Sequence, residues 1–190
     1  GRIGDAREAL ELLGDRCGDI GRADLVRLAI AVAAADDDRD EALRLLDELV
    51  TTEPFRDDAS THNVVHHLVD RLLAVGVEPD VVRDSVIDGW LRDHPSADLL
   101  VSITDGPLLL ASGRPEDAVG PLRAVLDAPD PCLLRPVIGS LRTSLAEALL
   151  GAVYRAGALA VVRQAIDEDF AKWPGVHRAL DQMRLELERG

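Results

Sequence analysis

Apolar residues recur every three or four positions along most of the chain, which predicts helices. No stretch alternates apolar and polar residues between hairpin turns, so strands are not expected. The helices should form pairs. First members of a pair are predicted at 22–35, 60–75, 97–111 and 133–155, second members at 4–16, 38–52, 79–93, 115–127 and 158–171, and a closing helix at 175–188. Gly106-Pro107 is expected to bend or interrupt the helix 97–111.

Four segments share one spacing: a turn residue, a small or β-branched apolar residue five positions later, and a larger or branched apolar residue four positions after that. The sets are Gly4, Ala9 and Leu13; Asp37, Ala42 and Leu46; Gly113, Ala118 and Leu122; and Gly157, Val162 and Ile166. Glycine and aspartate suit turns with unusual backbone angles, and a small side chain lets two helices approach closely. Prolines at 54, 95, 129 and 174 follow the second helices and indicate repeat boundaries.

These features resemble the tetratricopeptide repeat family, in a divergent form. Ala9 and Ala42 lie 33 residues apart, close to the family period of about 34, whereas the later intervals are longer. The resemblance covers most of the chain. It implies an all-α fold in which antiparallel helix hairpins stack as a short right-handed solenoid, with residues 1–190 forming one repeat domain. The opening helix lacks a partner, so we expect the chain to be a fragment of a longer protein.

Composition narrows the possible partners. Hydrophobic residues make up 47 % of the chain and aromatic residues 3 %, so the core must consist of Leu, Val, Ala and Ile. The formal net charge of −14 disfavours direct binding to nucleic acid. No run of about 20 apolar residues is present, so no membrane partner is expected. Two isolated cysteines, Cys17 and Cys132, suit a reducing, cytoplasmic setting.

A histidine stripe is the main candidate for chemistry. His62, His66 and Asp70 are spaced four apart and share one face of a predicted helix. Two imidazoles and a carboxylate can bind zinc or another divalent ion. No fourth ligand is identifiable, and the alternative is a set of polar residues on a half-exposed helix. The stripe defines an alternative function, that of a metal-binding or enzymatic helical protein.

The acidic run 36–41 partly fits a calcium loop, since Asp36, Asp38 and Asp40 occupy its first ligand positions. Glu41, however, stands where that loop needs glycine. An acidic turn that favours the N-terminus of the next helix explains the run better. No nucleophile elbow, dinucleotide-binding glycine motif or phosphate-binding loop occurs, so neither catalysis nor a cofactor is expected.

The resemblance also implies a binding groove, because first helices of the family line a concave surface that takes a peptide. Counting back from the small residue of each second helix gives the positions in this chain that correspond to the groove of the family. The polar and aromatic set is Asp24, Arg27, His67, Arg71, Ser144, Glu147 and Tyr154. An apolar set, Leu100, Ile103, Pro107 and Leu110, belongs either to the groove or to the core. The groove lacks the dense basic clamp that some family members use for a partner's terminal carboxylate.

The sequence therefore predicts a scaffold or regulatory domain without catalytic activity that binds another protein or a peptide, such as the helical arm of a bacterial regulator. A structural module that associates with itself is a second alternative.

Overall fold

The computed structural model describes residues 22–52, 61–92, 97–127, 133–167 and 174–189, which form helices joined by short turns, without a strand. The helices are α1 (Arg22–Ala35), α2 (Arg39–Thr52), α3 (Thr61–Ala74), α4 (Pro79–Val82), α5 (Ala97–Ala111), α6 (Pro115–Asp127), α7 (Arg135–Gly151), α8 (Arg155–Asp167) and α9 (Pro174–Arg189). A π-helix, Arg83–Trp90, continues α4. The predicted helix 4–16, with Gly4 and Ala9, lies outside the described residues. The chain divides into two compact units, Gly1–Ala97 and Asp98–Gly190.

In the first unit, α1 packs against both α2 and α3, and the π-helix packs against α2. Completely buried aliphatic side chains form the core, and its members include Ile30, Ala42, Leu49, Val65, Val69, Leu72, Val82 and Val86. An ion pair between Arg39 and Glu78 joins the start of α2 to the turn before α4. The core therefore follows from the three-to-four-residue apolar spacing of each helix.

In the second unit, α7 packs against α6 and α8, and α9 packs against α7 and α8. The guanidinium of Arg155 stabilises the end of α9, where it donates hydrogen bonds to the carbonyl oxygen of Leu187 at 2.6 and 3.1 Å and to that of Glu186 at 3.2 Å. The last carbonyls of a helix have no partner within the helix. Arg155 supplies one, and this fixes the closing helix on its neighbour.

One turn geometry ends four helices. A residue with positive φ follows α1, α3, α5 and α7, namely Asp37 (60°), Gly76 (80°), Gly113 (72°) and Val153 (59°). In each turn the next residue donates its N–H to a carbonyl five positions back, as Arg114 does to Leu109 at 3.0 Å and Tyr154 to Leu149 at 2.7 Å. This pair of features defines the Schellman motif.

The prediction for the last of these turns is wrong by about one helical turn. Helix α7 ends at Gly151, whereas the predicted helix 133–155 continues to position 155. Helix α8 starts at Arg155, whereas the predicted helix 158–171 starts three residues later. Gly157 lies inside α8 and is not the turn residue. Its lack of a side chain instead makes room for the Tyr154 ring, which a Cβ at position 157 would overlap.

Two further helices differ from expectation. Gly106-Pro107 does not interrupt α5, which runs unbroken from Ala97 to Ala111. Both residues are buried. Pro107 cannot donate a helical hydrogen bond, and the buried packing of the nearby Ile103 and Leu108 compensates for this loss. The predicted helix 79–93 is present, but most of it is π-helical, and the N–H of Leu91 donates to the Val86 carbonyl at 3.0 Å.

The acidic run is a turn followed by a helix start, as predicted. Asp36 and Asp37 lie in the turn, and Asp38 precedes α2. The Glu41 N–H donates to Oδ1 of Asp38 at 3.2 Å, so Asp38 caps the helix. Asp40 and Glu41 lie in the first turn, where a carboxylate interacts favourably with the helix dipole.

Candidate functional site

A cavity of about 410 Å³ opens where α1 packs against α3 in the first unit. Residues of both helices line it: Arg27, Leu28, Ile30 and Ala31 from α1, and His67, Leu68 and Arg71 from α3. Positions three and four apart share one face of a helix, which explains why these residues face the cavity together. The cavity is thus formed by two first helices of the predicted pairs.

The cavity has an apolar floor and a cationic rim. Ile30 is completely buried and Leu68 is 5 % exposed, whereas 49 % of Leu28 remains accessible. Arg71 and His67 are exposed and Arg27 is half-buried. Among the lining residues that the structure describes are two arginines and a histidine but no carboxylate. In a chain with a formal net charge of −14, these two arginines place positively charged groups beside accessible apolar surface.

Three residues of the predicted groove, Arg27, His67 and Arg71, come together at this cavity. Asp24 lies in α1, but its side chain falls outside the described part of the structure. Ser144 and Glu147 lie on α7 in the second unit. Tyr154 was predicted to lie on a helix, which is wrong: it sits in the turn after α7, with 56 % of its surface exposed.

The apolar set predicted on α5 belongs to the core and not to an open groove. Leu100 and Ile103 are completely buried, Pro107 is buried, and Leu110 is half-buried. A continuous apolar face on a helix is as compatible with a core as with a groove, and packing against neighbours decided between the two.

The histidine stripe separates into different environments. His66 is completely buried, and its Nε2 lies 3.4 Å from Oδ2 of Asp70, while neither ring nitrogen has a hydrogen-bond partner among the described residues. Burial lowers the pKa of the His66 imidazole below its usual range; the Asp70 carboxylate acts in the opposite direction, and His67 adds to the lowering. The His62 side chain lies outside the described residues. Within residues 22–52, 61–92, 97–127, 133–167 and 174–189, no three His, Cys, Asp or Glu side chains are grouped so that they could hold a metal ion.

Sequence reasoning missed a second cavity, of about 300 Å³, in the second unit. Its lining comes from three helices: Arg123, Leu126 and Asp127 of α6, Arg142 and Leu145 of α7, and Val161 and Gln164 of α8. The only signal in the sequence is the three-residue spacing of each set on its helix. Polar residues at such spacing occur on every solvated helix face, so the pattern alone does not identify a cavity.

No protein-family model matches the chain, and neither a curated protein nor a solved structure matches it. Among the helices of the described ranges, none combines the length and the apolar character needed to cross a membrane.

Proposed function

We propose that this chain is a divergent, tetratricopeptide-like helical repeat domain that binds a polypeptide and has no catalytic activity. The recurring turn supports this proposal, since its four positive-φ residues lie 39, 37 and 40 residues apart. Regular recurrence of one helix-ending motif is typical of repeat architectures, in which each unit stacks its apolar face on the next.

The register of buried residues after these turns supports the same proposal. A completely buried alanine follows three of the turns by five residues, at Ala42, Ala118 and Ala158. A buried larger residue follows four positions later, at Leu46, Leu122 and Val162. A small residue at a helix crossing with a larger one beside it is the arrangement by which the family packs its hairpins, and this favours a right-handed solenoid.

The cavity between α1 and α3 carries the functional part of the proposal. Its volume of about 410 Å³ falls in the range of about 300–1,000 Å³ typical of ligand pockets. It combines accessible aliphatic surface with charged groups that can orient a ligand, and first helices of the family line the peptide-binding face. We further propose a cytoplasmic setting and a scaffold or regulatory role, such as the arm of a bacterial regulator.

Site-directed photo-crosslinking tests the proposal. A photoreactive phenylalanine analogue replaces Leu28, which is 49 % exposed at the cavity, or Leu134, which is 56 % exposed in the second unit and serves as a matched control. After irradiation in lysate of the source cells, we expect a discrete polypeptide adduct through position 28 and not through position 134. A synthetic segment of the captured polypeptide, added before irradiation, should then reduce the yield of this adduct.

Two results would contradict the proposal. One is an identical pattern of adducts at both positions, with no competition by the synthetic segment. The other is turnover of a small-molecule substrate by the purified chain, which would indicate an enzyme.

A further inference from the structure

We propose that the cavity between α1 and α3 recognises an acidic residue beside a bulky aliphatic one in the bound polypeptide. This inference rests on the proposed function and specifies the partner's chemistry. It also goes beyond the repeat resemblance, because it depends on side chains particular to this cavity.

The apolar half of the site accounts for the aliphatic residue. Leu28, Ile30 and Leu68 form one surface, and Leu28 keeps about half of its area in contact with solvent. Covering this area with an aliphatic side chain removes apolar surface from water, which favours binding. Arg71 and His67 are exposed at the opening of the cavity. A side chain of the partner can therefore enter while the partner's backbone stays outside.

The cationic half accounts for the acidic residue. Arg71 lines the cavity from α3 and Arg27 lines it from α1, and the lining residues that the structure describes include no carboxylate. A guanidinium binds a carboxylate through two parallel hydrogen bonds, which fixes orientation as well as charge. A basic ligand would meet repulsion from the exposed guanidinium of Arg71, so the site disfavours it.

The charge of the whole chain strengthens this assignment. The formal net charge of −14 disfavours the approach of an acidic segment to the chain as a whole. At the cavity, the Arg71 guanidinium beside apolar surface offers an acidic segment both attraction and burial. Complementary charge of this kind selects partners and their orientation.

Display of random seven-residue peptides against the full chain tests the inference. Arg71→Glu is the test variant, and Arg92→Glu is the control because Arg92 is an exposed arginine of the same unit. Circular dichroism establishes that each variant is folded. We expect the wild type and Arg92→Glu to enrich peptides that carry Asp or Glu next to Leu, Ile or Val, and Arg71→Glu to lose this acidic preference.

The Kd of one selected peptide should rise about tenfold or more with Arg71→Glu, which corresponds to about 1.4 kcal/mol. It should be unchanged with Arg92→Glu.

Each other outcome overturns the inference in a distinguishable way. If the enriched peptides show no acidic preference but are displaced by a polypeptide captured through position 28, the acidic specificity is refuted and polypeptide binding is not. Absence of any enriched peptide, together with failure of the crosslinking experiment, would refute both. Displacement of the selected peptide by decanoate at an equal concentration would identify a small amphiphile as the occupant and refute the peptide.

Discussion

Gly106 of α5 lies against Leu122 of α6 so closely that a Cβ at position 106 would come within 2.6 Å of Leu122 Cδ2. Gly106 is buried and Leu122 is 1 % exposed, so neither has free space around it. The missing side chain thus sets how near the two helices of this hairpin approach. Buried packing of this density responds to the addition of a single methyl group.

Gly106→Ala should lower the free energy of unfolding by up to about 2 kcal/mol, because overpacking costs about 1–3 kcal/mol and alanine's higher helix propensity offsets about 1 kcal/mol. Gly120→Ala on α6 is the control, since no atom lies within 4 Å of its added Cβ. That control should raise the free energy by up to about 1 kcal/mol. Urea unfolding of the purified variants measures both changes, and a stabilising effect of Gly106→Ala would show that the contact with Leu122 does not limit the approach.

Val153 is strained in a way that glycine would relieve. It is 90 % exposed and has a φ of 59°, in a turn whose counterpart in the preceding hairpin carries Gly113 at 72°. The left-handed conformation costs an L-residue about 1–2 kcal/mol. Val153→Gly should therefore stabilise the fold by about 1 kcal/mol in thermal or urea unfolding.

The reverse change in the equivalent turn supplies the control. A Cβ at position 113 would meet no atom within 4 Å, so Gly113→Val should destabilise mainly through backbone strain, by about 1–2 kcal/mol. If Val153→Gly lost stability, the strain assigned to this turn would be wrong.

His66 should make the first unit sensitive to acid. Burial lowers its pKa in the folded state, whereas the unfolded chain has the ordinary value of about 6.5. Below that pH the unfolded state binds more protons, so stability is full above about pH 6.5 and falls as the pH drops toward the lower folded value. The slope from this group reaches at most about 1.36 kcal/mol per pH unit.

His66→Leu removes this contribution and should flatten the decline in stability below about pH 6.5. His67→Gln is the control, since it removes an exposed imidazole that contributes least to the lowered pKa of His66, so most of the decline should remain. Hydrogen exchange of α3 amides as a function of pH measures the effect within the unit concerned. An unchanged pH dependence in His66→Leu would argue against a buried neutral imidazole.

Much of the fold is predictable where turn chemistry and hydrophobic period agree. The sequence predicts 22–35, 97–111 and 115–127, and the structure has Arg22–Ala35, Ala97–Ala111 and Pro115–Asp127. Gly113 suits the positive φ of its turn and Pro115 suits the first position of α6, so local preferences specify both ends. The turn at Val153 is not predictable in this way, because valine disfavours a positive φ. Backbone hydrogen bonds hold it there: Val153 donates to the Leu150 carbonyl and Tyr154 donates to the Leu149 carbonyl.

The candidate site is predictable in its residues but not in its form. Counting along the predicted hairpins gives Arg27, His67 and Arg71, which meet at one cavity. The volume and the apolar floor depend on how α1 packs against α3, and no local pattern encodes that. Leu28 illustrates this, since nothing in its spacing distinguishes a half-exposed cavity wall from an ordinary surface leucine.

Polypeptide binding at this cavity is the central claim, and isothermal titration tests it most directly. The polypeptide captured through position 28 is titrated into the wild type, Leu28→Asp and Leu134→Asp, each of which replaces an exposed leucine. We predict saturable binding to the wild type and to Leu134→Asp with the same Kd, and a Kd at least about tenfold higher for Leu28→Asp, or about 1.4 kcal/mol. Equal affinities for all three proteins, or no binding by the wild type, would contradict the claim.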